Sequence, residues 1–161
     1  MTPMIHSLEV APEGDRFLRL RRDFAAPRHL LWRAYTEPAL LKRWMGAQGW
    51  PLTHCEMELR EGGNLRWVWS GPHGEMGLSG HFREVRAQER IVHTELFDED
   101  WTGGETVVTL CFEDCDGGAR LDMLIEYASE AARAGALQSG MTDGMEETYA
   151  RLDELLATGV E

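Results

Sequence analysis

Long apolar runs are missing from this sequence, and no window approaches the about 20 apolar residues that a membrane-spanning helix needs. The opening stretch, MTPMIHSLEV, contains neither a basic start nor an apolar segment of signal-peptide length. We therefore expect no membrane span and no secretion signal, and we expect the protein to be cytoplasmic.

Basic residues are also scarce. Lysine and arginine together number 16, against 28 aspartate and glutamate residues, which gives a formal net charge of -12. A chain this acidic is repelled by nucleic-acid phosphates and by anionic membrane surfaces. We therefore expect neither nucleic acid nor a membrane as a partner.

Cysteine is rare, with three residues in the chain. An odd number in a domain of ordinary size does not resemble the disulfide framework of a small secreted protein, so reduced thiols are expected. Cys111 and Cys115 have a C-x3-C spacing that a metal site can use, but no second pair of cysteines or histidines lies near them in sequence. The ligand count predicts no metal site.

The motifs of nucleophilic and phosphate chemistry are absent as well. Ser70, Ser79, Ser129 and Ser139 all lack a G-x-S-x-G setting, and the sequence has no Gly-Lys-Ser/Thr loop that would hold a phosphate. Acyl transfer and nucleotide hydrolysis are therefore not expected. The sequence predicts no catalytic residue set and no cofactor.

What the sequence does contain is the alternation typical of antiparallel strands. Apolar and charged residues alternate from Phe17 to Phe24, after a start that we expect to be mobile, and this predicts a half-buried strand. Helical spacing follows from Arg28 to Trp44, and Pro38 should divide that run into two short helices. Six further strands are predicted at about 55–60, 65–69, 76–85, 90–97, 106–113 and 120–126.

Turn chemistry joins these strands into hairpins. In the segment Glu61 to Asn64, the paired glycines Gly62 and Gly63 should supply the positive φ angles of a tight turn. A polar connection from Ala128 to Gly140 leads to an amphipathic helix from about Met141 to Ala157. A half-apolar sheet must bury its apolar face, and this helix is available to cover it.

We therefore predict one α+β domain over residues 1–161. Its curved antiparallel sheet would have seven strands, with two short helices after the first strand, and would wrap around the long C-terminal helix. A strongly curved sheet around one helix should leave a cavity where the two diverge.

Several separated motifs agree in order with a known protein family. They are RDFAAPR at 22–28, LWRAYTEP at 31–38, LKRW at 41–44, LREGG at 59–63, GHFREV at 80–85, ERIV at 89–92 and GMTDGM at 140–145. On these residues the chain, over about 16–157, resembles the Hsp90-ATPase-activator-like (AHSA1-like) proteins of the START/Bet v 1 helix-grip superfamily (SRPBCC). The resemblance implies a helix-grip fold. It does not carry over Hsp90 activation, because the eukaryotic co-chaperone has an additional N-terminal domain.

The expected cavity determines the candidate ligand-binding residues. They are large or amphipathic groups predicted on the inner face of the sheet, a short helix or the long helix: Arg22, Trp44, Trp67, Trp69, Phe82, Met145, Tyr149 and Leu152. Arg22 is two residues from both Leu20 and Phe24, so on a strand its side chain should point inward with theirs. A buried guanidinium needs an acidic partner. We expect that partner to be a residue of a neighbouring strand, with a ligand group as the alternative.

The sequence also contains two His–Glu patterns with a spacing of two. His93 and Glu95 share one face of a predicted strand, where they could act as an acid/base pair, but we expect them on the polar outer face. His54, Glu56 and Glu58 share the outer register of their own strand, and a metal site there would need carboxylates from other strands.

The combined observations predict a protein that binds a small hydrophobic or aromatic molecule without catalysis. An aromatase/cyclase-like or hydrolase-like enzyme using the same cavity is the first alternative, and a chaperone-related interaction module is the second. The sequence is compatible with a homodimer.

The cysteine and metal assignments predict that reducing agents and chelators leave the fold intact. Far-ultraviolet circular dichroism with and without dithiothreitol or EDTA measures this directly. Loss of secondary structure in EDTA would mean that a metal holds the fold together, and loss in dithiothreitol would mean that a disulfide does.

Overall fold

The computed structural model describes residues 4–159. Along this part of the chain the elements run in the order β1 (Glu9–Glu13), β2 (Phe17–Phe24), α1 (Arg28–Thr36), α2 (Pro38–Trp44), β3 (Leu52–Met57), β4 (Asn64–Gly71), β5 (Gly74–Arg86), β6 (Arg90–Phe97), β7 (Thr106–Cys115), β8 (Gly118–Glu126), α3 (Glu130–Gln138) and α4 (Met141–Thr158). The strands form one antiparallel sheet in the spatial order β1-β2-β8-β7-β6-β5-β4-β3.

The described chain has eight strands, so the prediction of seven is wrong. The additional strand is β1, which pairs with β2 so that Val10 lies opposite Leu20. Its side chains are mostly exposed, and it carries Pro12 in a strand at the edge of the sheet, where a missing backbone donor is tolerated. A short edge strand of this kind has no buried face and therefore no apolar alternation to reveal it.

The connection from Ala128 to Gly140 also differs from the prediction, because it contains the helix α3. Ser129 begins this helix, and its side-chain oxygen accepts a hydrogen bond from the backbone N–H of Ala132 at 3.0 Å. Ala136 is the one fully buried residue within α3. A helix of small residues with so little buried surface shows no apolar stripe in its sequence.

Other elements agree with the sequence patterns. The strand β2 has the predicted bounds, and α1 ends at Thr36 while α2 begins at Pro38, which is the predicted break. The glycines of the β3–β4 turn have different roles, however. Gly62 has a φ of 81°, whereas Gly63 is required because a Cβ there would lie 1.9 Å from the carbonyl oxygen of Glu58.

The helix α4 covers the concave face of the sheet unevenly. Its backbone approaches α1, α2 and α3 more closely than it approaches the strands. Tyr149, Leu152 and Leu155 are buried along its inner side, whereas Met145 nearer its start is only partly buried. The C-terminal half of α4 is therefore fully packed, and the N-terminal half borders open space.

We predict that the fold depends on this packed half. Leu152 is fully buried, and replacing a buried leucine with alanine costs about 2 to 5 kcal/mol of the free energy of unfolding. Thermal denaturation of Leu152→Ala should show a large fall in melting temperature. Glu154→Ala changes an exposed residue of the same helix and should melt close to the wild type, and equal melting of the two variants would contradict the packing.

Candidate functional site

A cavity of about 590 Å³ lies between the inner face of the sheet and the N-terminal half of α4. Its walls are mostly apolar. The residues of α4 that line it all belong to the first half of that helix: Met141, Gly144, Met145, Thr148 and Tyr149. The sheet contributes side chains from β4, β5, β6, β7 and β8, and the loops around Gly46 and Trp101 complete the rim.

Aromatic side chains form one continuous wall of the cavity. The ring of Trp67 meets that of Trp69 edge-on at 6.0 Å, and Trp69 stacks on Phe97 at 6.5 Å. Phe97 in turn contacts Trp101 at 5.1 Å between ring centroids. These rings lead from buried Trp67 to Trp101, which is 43% exposed, and Met76, which is 38% exposed, also lines the cavity. The cavity therefore reaches the surface at large apolar side chains.

A tyrosine pair forms the inner end of the cavity. The hydroxyl groups of Tyr35 and Tyr149 lie 2.7 Å apart, and both residues are buried. Burial is the main cause that raises the pKa of each hydroxyl, so both stay protonated and hydrogen-bond each other. Trp44 packs against both rings, and its indole N–H donates to the carbonyl oxygen of Ala34 at 3.0 Å.

The structure brings together five of the eight predicted site residues. Trp44, Trp67, Trp69, Met145 and Tyr149 line the cavity. Three others lie outside its walls: Arg22, Phe82 and Leu152. Phe82 is fully buried in the sheet opposite His93, and Leu152 belongs to the packed half of α4, so both residues fill the core beside the cavity.

Arg22 points inward as predicted, but its partner is not on a neighbouring strand. Two guanidinium N–H groups donate to the two carboxylate oxygens of Asp153 in α4, at 2.9 and 2.7 Å. Glu146 lies 3.6 Å from Arg22 Nε, and the guanidinium also stands over the ring of Phe24. Burial alone would lower the pKa of Arg22, but the hydrogen bonds and charge of Asp153 raise it. The residue ties the helix to the sheet.

The expectation of an outer position for His93 and Glu95 is wrong. His93 is 3% exposed, both residues line the cavity, and His93 Nε2 lies 2.8 Å from Glu95 Oε2. Ile91 and Phe97 lie on the same face of β6 as His93 and Glu95, because side chains alternate along a strand. The two apolar residues were the sequence signal that this face points inward. By contrast, His54 and Glu56 form a similar pair, 3.1 Å apart, that is well exposed on β3.

Sequence reasoning missed several other cavity residues. Phe97 shares the inward parity of β6, so the alternation could have identified it. Trp101 lies in an irregular acidic loop, where no periodicity indicates which way a side chain faces. Tyr127 follows the last strand, and its hydroxyl donates to Met141 Sδ at 3.3 Å. Burial, followed by the negative charge of Glu95, raises the pKa of Tyr127 to about 12.

Metal ligands do not converge in the part of the chain that the structure describes, where no group of three or more His, Cys, Asp or Glu residues could hold an ion. Cys55, Cys111 and Cys115 are free thiols. Burial raises the pKa of Cys55 to about 11, so this thiol is a poor nucleophile at neutral pH. Within residues 4–159 no helix is both long and apolar enough to cross a bilayer.

The family model for Activator of Hsp90 ATPase homolog 1-like proteins matches residues 25–157, which is most of the chain. The protein belongs to this family. No curated protein matches the sequence. The chain nevertheless resembles solved structures over nearly its whole length, and those similarities support the helix-grip architecture.

A protein from Rhodobacter sphaeroides is 42% identical with a TM-score of 0.92, over 96% of this chain and 100% of that one. A protein from Nitrosomonas europaea is 28% identical with a TM-score of 0.81, over 91% of this chain and 97% of that one. The AHSA1 protein from Silicibacter pomeroyi is 24% identical with a TM-score of 0.71, over 88% and 98% of the two chains, and shows the shared fold alone.

The ion pair between Arg22 and Asp153 predicts an asymmetric response to mutation. Asp153→Ala leaves the buried guanidinium with a weaker partner and should cost about 1 to 3 kcal/mol of the free energy of unfolding. Arg22→Met removes the buried charge and leaves Asp153, whose side chain is 45% exposed, to be solvated by water. Urea unfolding should find Arg22→Met the more stable variant. The opposite order would mean that the guanidinium is not the costly group to leave unpaired.

Proposed function

We propose that this family member binds one small hydrophobic or aromatic molecule in the cavity between the sheet and α4, without catalysing a reaction. The observation that carries the proposal is a mostly apolar space of about 590 Å³ whose lining runs from buried side chains to the exposed Met76 and Trp101. Sites for small molecules commonly have volumes of about 300 to 1,000 Å³, with mainly apolar walls and a few polar groups.

Packing energetics support the same proposal. Protein interiors are normally filled to the density of organic crystals, and an unfilled space beside large side chains lowers stability. Gly144 lies on the cavity wall within α4, and a Cβ added there would come no closer than 4.0 Å to any neighbour, the Cβ of Ala47, so the space beside it is unfilled. A molecule that fills the cavity would recover the lost contacts and stabilise the folded state.

An enzyme that uses the same cavity is the second candidate, because His93 and Glu95 form a buried hydrogen-bonded pair on its wall. Such a pair can act as a general acid or base. Among the described residues, however, His93 hydrogen-bonds to no hydroxyl or thiol that it would activate as a nucleophile. Incubation with a metabolite extract separates the candidates, because a binder returns the retained compound unchanged and an enzyme returns a product.

The Hsp90 activity in the family's name belongs to its namesake, and we do not extend it to this chain. The three free thiols are in keeping with a reducing compartment, and we infer a cytoplasmic location on that ground.

We predict that the wild-type protein binds N-phenyl-1-naphthylamine, a neutral fluorescent probe, in a saturable manner at one site. Met145→Trp places a larger ring in the cavity and should weaken probe binding about tenfold or more. Overpacking a filled core costs about 1 to 3 kcal/mol, whereas an existing cavity accepts the ring at little cost, so the melting temperature should change little.

Ala150→Trp adds the same ring on the exposed side of α4 and serves as the matched control, since it should leave probe affinity unchanged. The proposal fails if the wild type binds no probe and Met145→Trp is strongly destabilised, because that combination describes a fully packed interior.

A further inference from the structure

The cavity wall carries an unbalanced charge. Among the described residues that line it, Glu95 is the one acidic side chain, and none is lysine or arginine. The Glu95 side chain is about one-fifth exposed, and one of its oxygens accepts a hydrogen bond from His93 Nε2. The other oxygen has no donor within residues 4–159. A carboxylate in this setting is open to a further partner.

His93 engages only one oxygen of this carboxylate. Its Nε2 lies 2.8 Å from Glu95 Oε2, while Nδ1 is buried and has no hydrogen-bond partner among the described residues. The second oxygen of Glu95 is therefore the acceptor that a ligand in the cavity could use.

Aromatic side chains line the same cavity as this carboxylate. Phe97 lies two residues further along β6 on the same face, and the ring of His93 lies 6.2 Å from that of Trp67. Trp69 and Trp101 extend this aromatic wall on either side of Phe97. The faces of indole and phenyl rings attract cations through their quadrupoles, most strongly where water is excluded.

The charge and the rings favour the same kind of ligand. We infer that the cavity binds a hydrophobic organic cation, an amine or quaternary ammonium whose charged nitrogen lies against Glu95 and the aromatic wall while its apolar body fills the remaining space. This inference rests on the proposed binding function and specifies its ligand class. The net charge of -12 also attracts cations toward the protein and disfavours anions.

The negative charge of Glu95 reaches across the cavity. It contributes, after burial, to the raised pKa of Tyr127, and it acts in the same direction on the buried pair Tyr35 and Tyr149. A cation bound beside Glu95 would oppose this field, so the charge of a ligand should matter as much as its shape.

Three probes of similar size separate charge from shape. They are trimethyl(2-naphthylmethyl)ammonium, its neutral isostere 2-(2,2-dimethylpropyl)naphthalene, and the anion 2-naphthylacetate. Each is titrated as a competitor against N-phenyl-1-naphthylamine. We expect the cation to bind wild-type protein about tenfold or more tightly than the neutral isostere, and the anion to bind most weakly.

Glu95→Gln should remove the preference for the cation, so that the cation and the neutral isostere bind this variant within about twofold of each other, because the amide keeps the shape and loses the charge. Glu56→Gln is the matched control. It removes the same charge from a His–Glu pair of the same spacing, but on the exposed side of β3, and should keep the preference.

The wild-type series decides the inference even if Glu95→Gln does not fold. A neutral isostere that binds as tightly as the cation would overturn the inference and leave the proposed binding function intact. A cation preference that persists in folded Glu95→Gln would overturn the assignment to Glu95. Failure of all three probes and of N-phenyl-1-naphthylamine would overturn both proposals.

Discussion

The paired hydrogen bonds between the Arg22 guanidinium and the Asp153 carboxylate determine how the long helix meets the sheet. A guanidinium that is 4% exposed has lost its water and must keep an acidic partner, so the C-terminal half of α4 cannot move away from β2 at low cost. Glu146 adds a second carboxylate to Arg22 and accepts a hydrogen bond from the backbone of Leu8. Glu146 lies in the N-terminal half of the helix and Asp153 in the C-terminal half, so Arg22 links β2 to both halves of α4.

The cavity lies where the packing between α4 and the sheet is incomplete. Met141, Gly144 and Met145, on the N-terminal half of α4, line this space without filling it. The remaining volume is bounded by the aromatic wall on the sheet and by the tyrosine pair at its inner end. The same packing of helix on sheet thus stabilises the fold and borders a cavity that we propose as a site for a small molecule, and Glu95 is the one acidic side chain among the described residues that line it.

Local patterns predicted the elements that bury one regular face. Three such features are the alternation through β2, the helix break at Pro38 and the inward positions of Trp67 and Trp69. Each depends on neighbours within a few residues, so the sequence predicted it correctly. The edge strand β1 and the small-residue helix α3 bury too little to leave a pattern. Arg22 and Asp153 are 131 residues apart in the sequence, so their contact depends on tertiary packing. Local hydrophobic periodicity cannot predict a contact of that kind. His93 and Glu95 were predicted to face outward because both are polar, but they lie on the inner face with Ile91 and Phe97.

The most direct test of the cavity is to locate a bound molecule by nuclear magnetic resonance with methyl-labelled methionines, of which the chain has eight. The methionines that line the cavity are Met45, Met76, Met123, Met141 and Met145, whereas Met4 and Met57 lie outside it. The account predicts nuclear Overhauser effects from bound N-phenyl-1-naphthylamine to methyl groups of the first set and none to the second. Contacts confined to Met4 or Met57 would contradict it, since the probe would then bind elsewhere on the protein.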